Sequence, residues 1–466
     1  MNRRDFLKTS LASSLLASSG EILNLGRNVV HADGFAAVAH PILVNVTLVG
    51  APDYRHLLPP PFDPDPSSYG FRYWEARAAS HAIEQSANAY EARWNDDYFP
   101  AADGSTQFGI LRSCGWLARM WDAGNVAVIC NAVGATTRDH AHCQLVMDQG
   151  NLTSGPNDQN RSGWGGRLSA EAGGNVIALT KTPRRFCYGP DPDDSENHDN
   201  SNLVTARNTR QMGLYHTLPG ESPLSLEAVV TRSLESYYAA KRQEIEPSSI
   251  YKRFVDHEAK LRELGSLIDG RLGSLPLPTS ISALYQGGLS SQYFGEQIRN
   301  LYDALAANDI LNMWVASLEL GNFDSHKEQK DQIEPKYEDM FGDGKGFDTL
   351  FQQIPTDAAD NIVLVIGGEF GRQLRANGSN GTDHGRGNSV LVIGNQVNGG
   401  IYGDMFPEEE LARLDEPGAD INGLTDLDHV FGAVCDRIVP GSGDIVFPNR
   451  VIAKKEDGVS FATLFG

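Results

Sequence analysis

The sequence predicts an α/β protein with a mainly parallel sheet covered by helices on both faces. Three observations predict it. Apolar strand patterns alternate with helical ones along the chain instead of clustering. Ile362–Ile366 is an unbroken run of branched apolar residues, the pattern of a strand buried on both sides. Several strands also end in acidic, imidazole or hydroxyl residues, as they would where a parallel sheet gathers its carboxyl ends at one edge.

Taken in order, Pro41–Gly50 reads as the first strand and ends at Asp53. Tyr54–Trp94 is rich in proline and aromatics with no clear period, and reads as an irregular surface insertion. Ser105–Gly124 reads as an amphipathic helix, with Phe108, Leu111, Leu117 and Met120 on one face and Gly124 as its stop. Asn125–Asn131 is a second buried strand, and a helix starts within Gly134–His142 and runs to about Gln149. Arg161–Ala172 is a glycine-rich turn into a short helix, Asn175–Thr180 a strand, and Pro183–Asn202 a loop. The acidic knot Asp191–Asn200 lacks the order of a calcium loop. Ser222–Leu272 holds two helical patterns parted near Pro247, within a helical insertion spanning about 222–310. Gln292–Ala307 is a helix, Asn312–Leu320 a strand, Lys336–Gln353 helical, Asn388–Ile393 a strand and Asp426–Ile438 a closing helix. Residues 41–466 read as one domain.

The 39 basic and 60 acidic residues leave a net charge of −21, which argues against nucleic acid and anionic membranes as partners. No stretch reaches the roughly 20 apolar residues of a transmembrane helix. Asn2–Lys8 (Asn-Arg-Arg-Asp-Phe-Leu-Lys) reads as a twin-arginine export signal covering residues 1–32, with Val30-His31-Ala32 as cleavage site and Ala37–Ala39 as the alternative. That implies a periplasmic or extracellular protein. The five cysteines lack C-x-x-C spacing and leave room for one or two bridges at most.

The chemistry sits at strand ends: Asp53, Thr136 to His140, Asp324 with His326, and Glu369, with Asp383-His384 in the loop after Glu369. Carboxylates mixed with imidazoles make the oxygen and nitrogen set that suits zinc or manganese. Arg372, Arg386 or Arg138 could hold the oxygens of an anionic ester. Each piece has a plainer role open to it: Asp53 could cap a turn before Tyr54, and His326 could be a surface histidine.

Together, Val49–Asp53, Thr137–His140, Gly163–Arg167, Phe323–His326, Glu369–Arg372 and Gly381–Gly385 resemble the family called domain of unknown function 1501, grouped with the alkaline-phosphatase-like superfamily. The resemblance implies a three-layer α/β/α sandwich and hydrolysis of phosphate or sulfate esters. By analogy it makes Asp53, Asp324, His326, Glu369, Asp383 and His384 ligands of a divalent metal, zinc before manganese or calcium. It also places the nucleophile within Thr136, Thr137, Arg138, Asp139 and His140. Cys143 lies beyond the nucleophile position, which speaks against formylglycine chemistry; Glu369-Phe370 stands where the superfamily has Asp-His; and the threonines could instead cap the helix.

Three functions follow. The first is an exported metal-dependent hydrolase of a small anionic ester. The second is a non-catalytic extracytoplasmic protein that keeps the fold and serves a protein partner. The third is a calcium-stabilised adhesion or carbohydrate module using surface aromatics such as Tyr73 and Trp74.

Overall fold

A computed structural model of the chain describes residues 34–135, 137–150, 160–191, 198–200, 202–211, 226–245, 250–450 and 459–466. The export-signal residues and Thr136 lie outside the described residues. The strands are β1 (Ile42–Leu48), β2 (Tyr98–Asp103), β3 (Thr106–Leu111), β4 (Val126–Val133), β5 (Asn175–Ala178), β6 (Gly189–Pro190), β7 (His198–Asp199), β8 (Leu203–Thr205), β9 (Met313–Leu320), β10 (Ile362–Gly367), β11 (Asn388–Ile393), β12 (Gly400–Tyr402) and β13 (Thr425–Asp426).

Among the described residues, a nine-stranded sheet runs in the order β12-β4-β11-β10-β1-β9-β5-β8, with β13 beside β4. Every pairing in it is parallel except those of β11, which is antiparallel to both β10 and β4. Two reversals restore direction, so β4 points the same way as β10. The carboxyl ends of β1, β4, β9 and β10 therefore share one edge. The β10–β11 loop turns back over that edge.

The period of two in a strand divides the core into two layers. Val44, Val46, Leu48, Leu318, Leu364 and Ile366 face one side, under the helices Gln292–Ala306, Gln329–Phe341 and Gly346–Gln353. Leu43, Val315, Val363, Val365 and Val392 face the other, under Trp164–Glu171 and Leu427–Ile438. Burying each such side chain contributes about 1.5–3 kcal/mol, so both layers are needed to hold the sheet. This is an α/β protein with a mixed, mostly parallel central sheet.

Several elements differ from the sequence reading. Tyr54–Trp94 is not irregular: it forms helices Tyr54–Leu57 and Tyr69–Arg77 and most of Ala87–Asp97. Nor is it a surface layer, since Tyr73 is 1% and Trp74 0% exposed within the core. These aromatics cannot serve a carbohydrate surface. Ser105–Gly124 divides into β3, paired with β2 in a hairpin, and a helix Gly115–Asp122. Phe108 and Ile110 alternate into the core, and Gly104 takes the positive φ (55°) of the tight turn, so the strand period wins over the helical one. The helix expected over Lys336–Gln353 is two helices that start earlier, at Gln329. All five cysteines are buried and free, so none forms a bridge. Among the described residues no helix is long and apolar enough to cross a membrane.

One close approach sets the geometry of the edge. Gly50, just past β1, has φ +107°, and a Cβ there would meet the Asp324 backbone nitrogen at 2.6 Å. Only glycine lets the ends of β1 and β9 lie this close.

Candidate metal centre

Four segments deliver side chains to the carboxyl edge. β4 leads to Asp139, which accepts the His142 N–H at 2.8 Å and caps the helix His140–Gln149, placing His140 in its first turn. β9 leads to Asp324 and His326, β10 to Glu369, and the β10–β11 loop carries Asp383 and His384.

Asp324 is the centre. Its Oδ1 lies 3.0 Å from His384 Nε2 and 3.1 Å from His326 Nε2, and its Oδ2 lies 3.5 Å from His140 Nε2. One ligand atom each of His140, Asp324 and His384 falls within 4.8 Å of the others. His326 Nε2 is 2.9 Å from His384 Nε2.

The far side of each ring is fixed by an acceptor. His140 Nδ1 meets Glu369 Oε1 at 2.7 Å, His326 Nδ1 meets Asp383 Oδ1 at 2.9 Å, and His384 Nδ1 meets the Arg138 carbonyl at 3.1 Å. A carbonyl or carboxylate there requires a proton on Nδ1, so in the neutral rings each Nε2 turns a lone pair inward. Two such lone pairs 2.9 Å apart, beside a carboxylate oxygen, repel unless a proton or a cation stands between them. His140 Nε2 and Glu369 Oε2 are buried without a hydrogen-bond partner. This donor set fits a divalent cation: nitrogen-rich, with one carboxylate and with Nδ1 of each ring oriented from behind.

Burial pushes the Asp324 carboxyl up, but the Arg372 hydrogen bond and charge, together with His384 and His326 when a second proton makes those rings cationic, outweigh it and bring it down to about 2. Glu369 is also lowered: burial opposes, and the hydrogen bonds of His140 and the Gly50 N–H prevail. His140 is raised, first by its bond to Glu369. His384 is lowered, first by burial, which keeps the ring neutral and able to ligate.

The other site residues read from the sequence lie as follows. Asp53 is away from the cluster: its side chain caps the helix Tyr54–Leu57, pairs with Arg77, and accepts Gln329 Nε2 at 2.8 Å. Its role is the turn cap, held by a buried ion pair. Glu369 and Asp383 stand behind His140 and His326 as orienting carboxylates, while His140 joins Asp324, His326 and His384 at the centre. Arg372 is 1% exposed and spans the loops, donating to the carbonyls of Ala51 (2.8 Å), Thr382 (3.1 Å), Gly50 (2.6 Å) and Phe323 (2.9 Å) and to Asp324 Oδ1 (2.8 Å). Arg138 pairs with Asp420 at 2.7 Å. Thr137 Oγ1 contacts Cys143 Sγ at 3.3 Å, and the Asp139 side chain serves as the helix cap.

Sequence reasoning missed Gln329, which is fully buried. Its Nε2 donates to Asp53, and its Oε1 accepts Ser325 Oγ at 3.0 Å and Thr382 Oγ1 at 2.6 Å, tying the two histidine-bearing loops together. Only its place one turn beyond His326 hinted at this.

Fold and cluster together define an α/β protein with a histidine–aspartate group of metal-ligand type at the carboxyl edge of its sheet. Residues 312–416 match the family described as "Protein of unknown function (DUF1501)", a span that carries Asp324, His326, Glu369, Arg372, Asp383 and His384. Among solved structures, the chain is similar to one titled for the metabolism of multiple glycosaminoglycans by Bacteroides thetaiotaomicron and tagged "4S-sulf". The two are 13% identical, with a TM-score of 0.31 over 91% of this chain and 76% of the other. No curated protein matches the chain.

Proposed function

We propose that the chain is an exported metal-dependent hydrolase of phosphate or sulfate esters. The observation that supports this reading is the inward convergence of His140, His326 and His384 on Asp324, each ring held at Nδ1 by an acceptor. Asp324, His384 and His140 would hold the ion, with His326 beside them. Three imidazoles and one carboxylate suit zinc, then manganese, and suit oxygen-seeking calcium poorly. When bound, the cation would act as a Lewis acid toward the ester's oxygens. The chain's own work is to keep the rings in one tautomer, to hold Asp324 ionised, and to fix the loops through Arg372 and Gln329.

A second reading, a non-catalytic extracytoplasmic binding or assembly protein, draws support from a separate observation. Thr137 faces Cys143, Asp139 is spent on a helix cap, and Arg372 is spent on backbone carbonyls. No described residue of the segment from Thr137 to His140 presents a hydroxyl nucleophile to the cluster. Metal analysis and an aryl phosphate and sulfate ester panel, run with and without chelator on the wild type and His384→Ala, separate the two. The hydrolase reading expects one to two bound equivalents of zinc or manganese and turnover lost in both the chelated and the substituted protein. Bound metal without turnover favours the second reading, and turnover surviving both treatments refutes the site.

A further inference from the structure

The buried carboxylate of Asp420 lies beside this centre, and more positive charge gathers on it than it can neutralise. Its side chain is 2% exposed. Arg138 Nη2 reaches its Oδ2 at 2.7 Å, Arg386 Nε reaches the same oxygen at 3.1 Å, and Arg413 Nη2 stands 3.9 Å from Oδ1. Glu416, 4.0 Å from Arg413 Nε, answers the third arginine, and Asp420 can offset only one of Arg138 and Arg386, so net positive charge remains at this corner of the edge.

The corner is continuous with the candidate metal centre. The Arg138 carbonyl is the group that holds His384 Nδ1, and Arg386 follows His384 by two residues. Asp420 pairs with Gln373, whose Nε2 donates to the His384 carbonyl at 3.3 Å. Arg138 and Arg386 also differ from Arg372 in exposure. Arg372 is buried with all three nitrogens engaged, whereas the side chains of Arg138 and Arg386 are 37% and 50% exposed. The bonds found for Arg386 use Nε alone, and those for Arg138 use Nη2 alone, to Asp420 and, at 3.4 Å, to the Gly418 carbonyl. The outer edges of both forks therefore face outward from an anchored base. A plain loop tie needs one arginine on Asp420; a second, half-exposed one adds charge without adding burial.

We infer that Arg138 and Arg386, held by Asp420, form the subsite for a tetrahedral oxyanion, the phosphate or sulfate group of the substrate, and that Arg372 does not touch the ligand. This rests on the ester-hydrolase reading for the identity of the substrate. Two guanidiniums offer charged N–H donors to the oxygens of such a group, and anchoring on a buried carboxylate lowers the entropy lost on binding.

The test is calorimetric titration of the full chain with inorganic phosphate and, separately, with sulfate, each on zinc-loaded and on metal-free protein. The expected result is binding to the wild type that weakens about tenfold to a hundredfold in Arg138→Gln and in Arg386→Gln, with zinc content and melting temperature unchanged. Arg386→Lys, which keeps the charge and loses the fork, should recover part of the affinity. Equal anion affinity in wild type and both glutamine variants overturns the subsite, as does a wild type that binds neither anion in either form. If Arg138→Gln melts early, Arg386→Gln, at the more exposed position, decides alone. Absence of zinc from the wild type would strike the metal reading instead, and the metal-free titration would still judge the arginines. Phosphate binding with sulfate excluded, or the reverse, names the ester class.

Discussion

Glu369→Gln is the sharpest probe of the centre, because it changes a charge and almost no shape. Glu369 Oε1 accepts three donors: the Gly50 N–H at 2.9 Å, His140 Nδ1 at 2.7 Å and Gln144 Nε2 at 3.3 Å. A glutamine carbonyl can keep all three. What it removes is the negative charge behind His140, which makes the ring a stronger donor through Nε2. Removing such an orienting partner lowers metal affinity about 10- to 100-fold, or about 1.4–2.7 kcal/mol. The new amide NH₂ lands where Oε2 is buried without a partner, which costs about 1–3 kcal/mol and is offset in part by no longer burying a carboxylate. Folding stability should therefore fall by less than this cost of about 1–3 kcal/mol, and a melt of the metal-free variant separates it from the loss of zinc affinity. The assay is zinc competition against a chromophoric chelator, with His140→Ala measured alongside. An affinity within twofold of wild type would mean that Glu369 does not act on the metal. A loss as large as that of His140→Ala would mean that Glu369 is itself a ligand. Either result refutes the orienting role.

The remaining predictions concern the scaffold. Glu334, 18% exposed at its side chain, is pushed up by burial but held at about 2 by the hydrogen bond from His56 and the charges of His56 and Arg93. Its folded pKa is below the ordinary 4.5, so its stabilisation is full above that pH and is lost as pH falls toward 2. Urea melts of the metal-free protein should lose about 3 kcal/mol over that window in excess of Glu334→Gln; identical slopes would show that the pair carries no such linkage. Gly50→Ala should destabilise by about 2 kcal/mol or more, because φ is +107° and the new Cβ meets the Asp324 nitrogen at 2.6 Å. It should also weaken zinc binding by displacing Asp324. Wild-type stability in that variant would show that the turn relaxes freely.

The sheet was legible because its strands carry a strong local signal. Ile362–Ile366 and the centre of Asn125–Asn131 are apolar runs too continuous for a half-exposed element, and β10 and β4 lie there. What misled was amphipathic ambiguity. In Ser105–Gly124, Phe108, Leu111 and Leu117 fit a helical face, yet Phe108 and Ile110 also fit a strand, and pairing with β2 decides between them. The Tyr54–Trp94 segment hides its helices because buried aromatics there pack on the sheet through long-range contacts that no local period records.

The sequence places these side chains at one edge but not in their roles, for a physical reason. That Asp324, His326, His384 and the His140 segment share an edge follows from parallel strands alone. Which carboxylate faces inward depends on distances the chain does not encode locally. Asp53 and Asp324 both follow parallel strands, but Arg77 and Gln329 reach Asp53 from the helices on one face of the sheet and pair with its carboxylate. Asp324 meets only Arg372 and the imidazoles, and its side chain stays 44% exposed. Glu369 and Asp383 are of residue types that suit a metal, and each lies on the Nδ1 side of a histidine. A carboxylate in such a cluster faces the centre only where no imidazole stands between, and among these acids that leaves Asp324 in the group that could hold a metal ion.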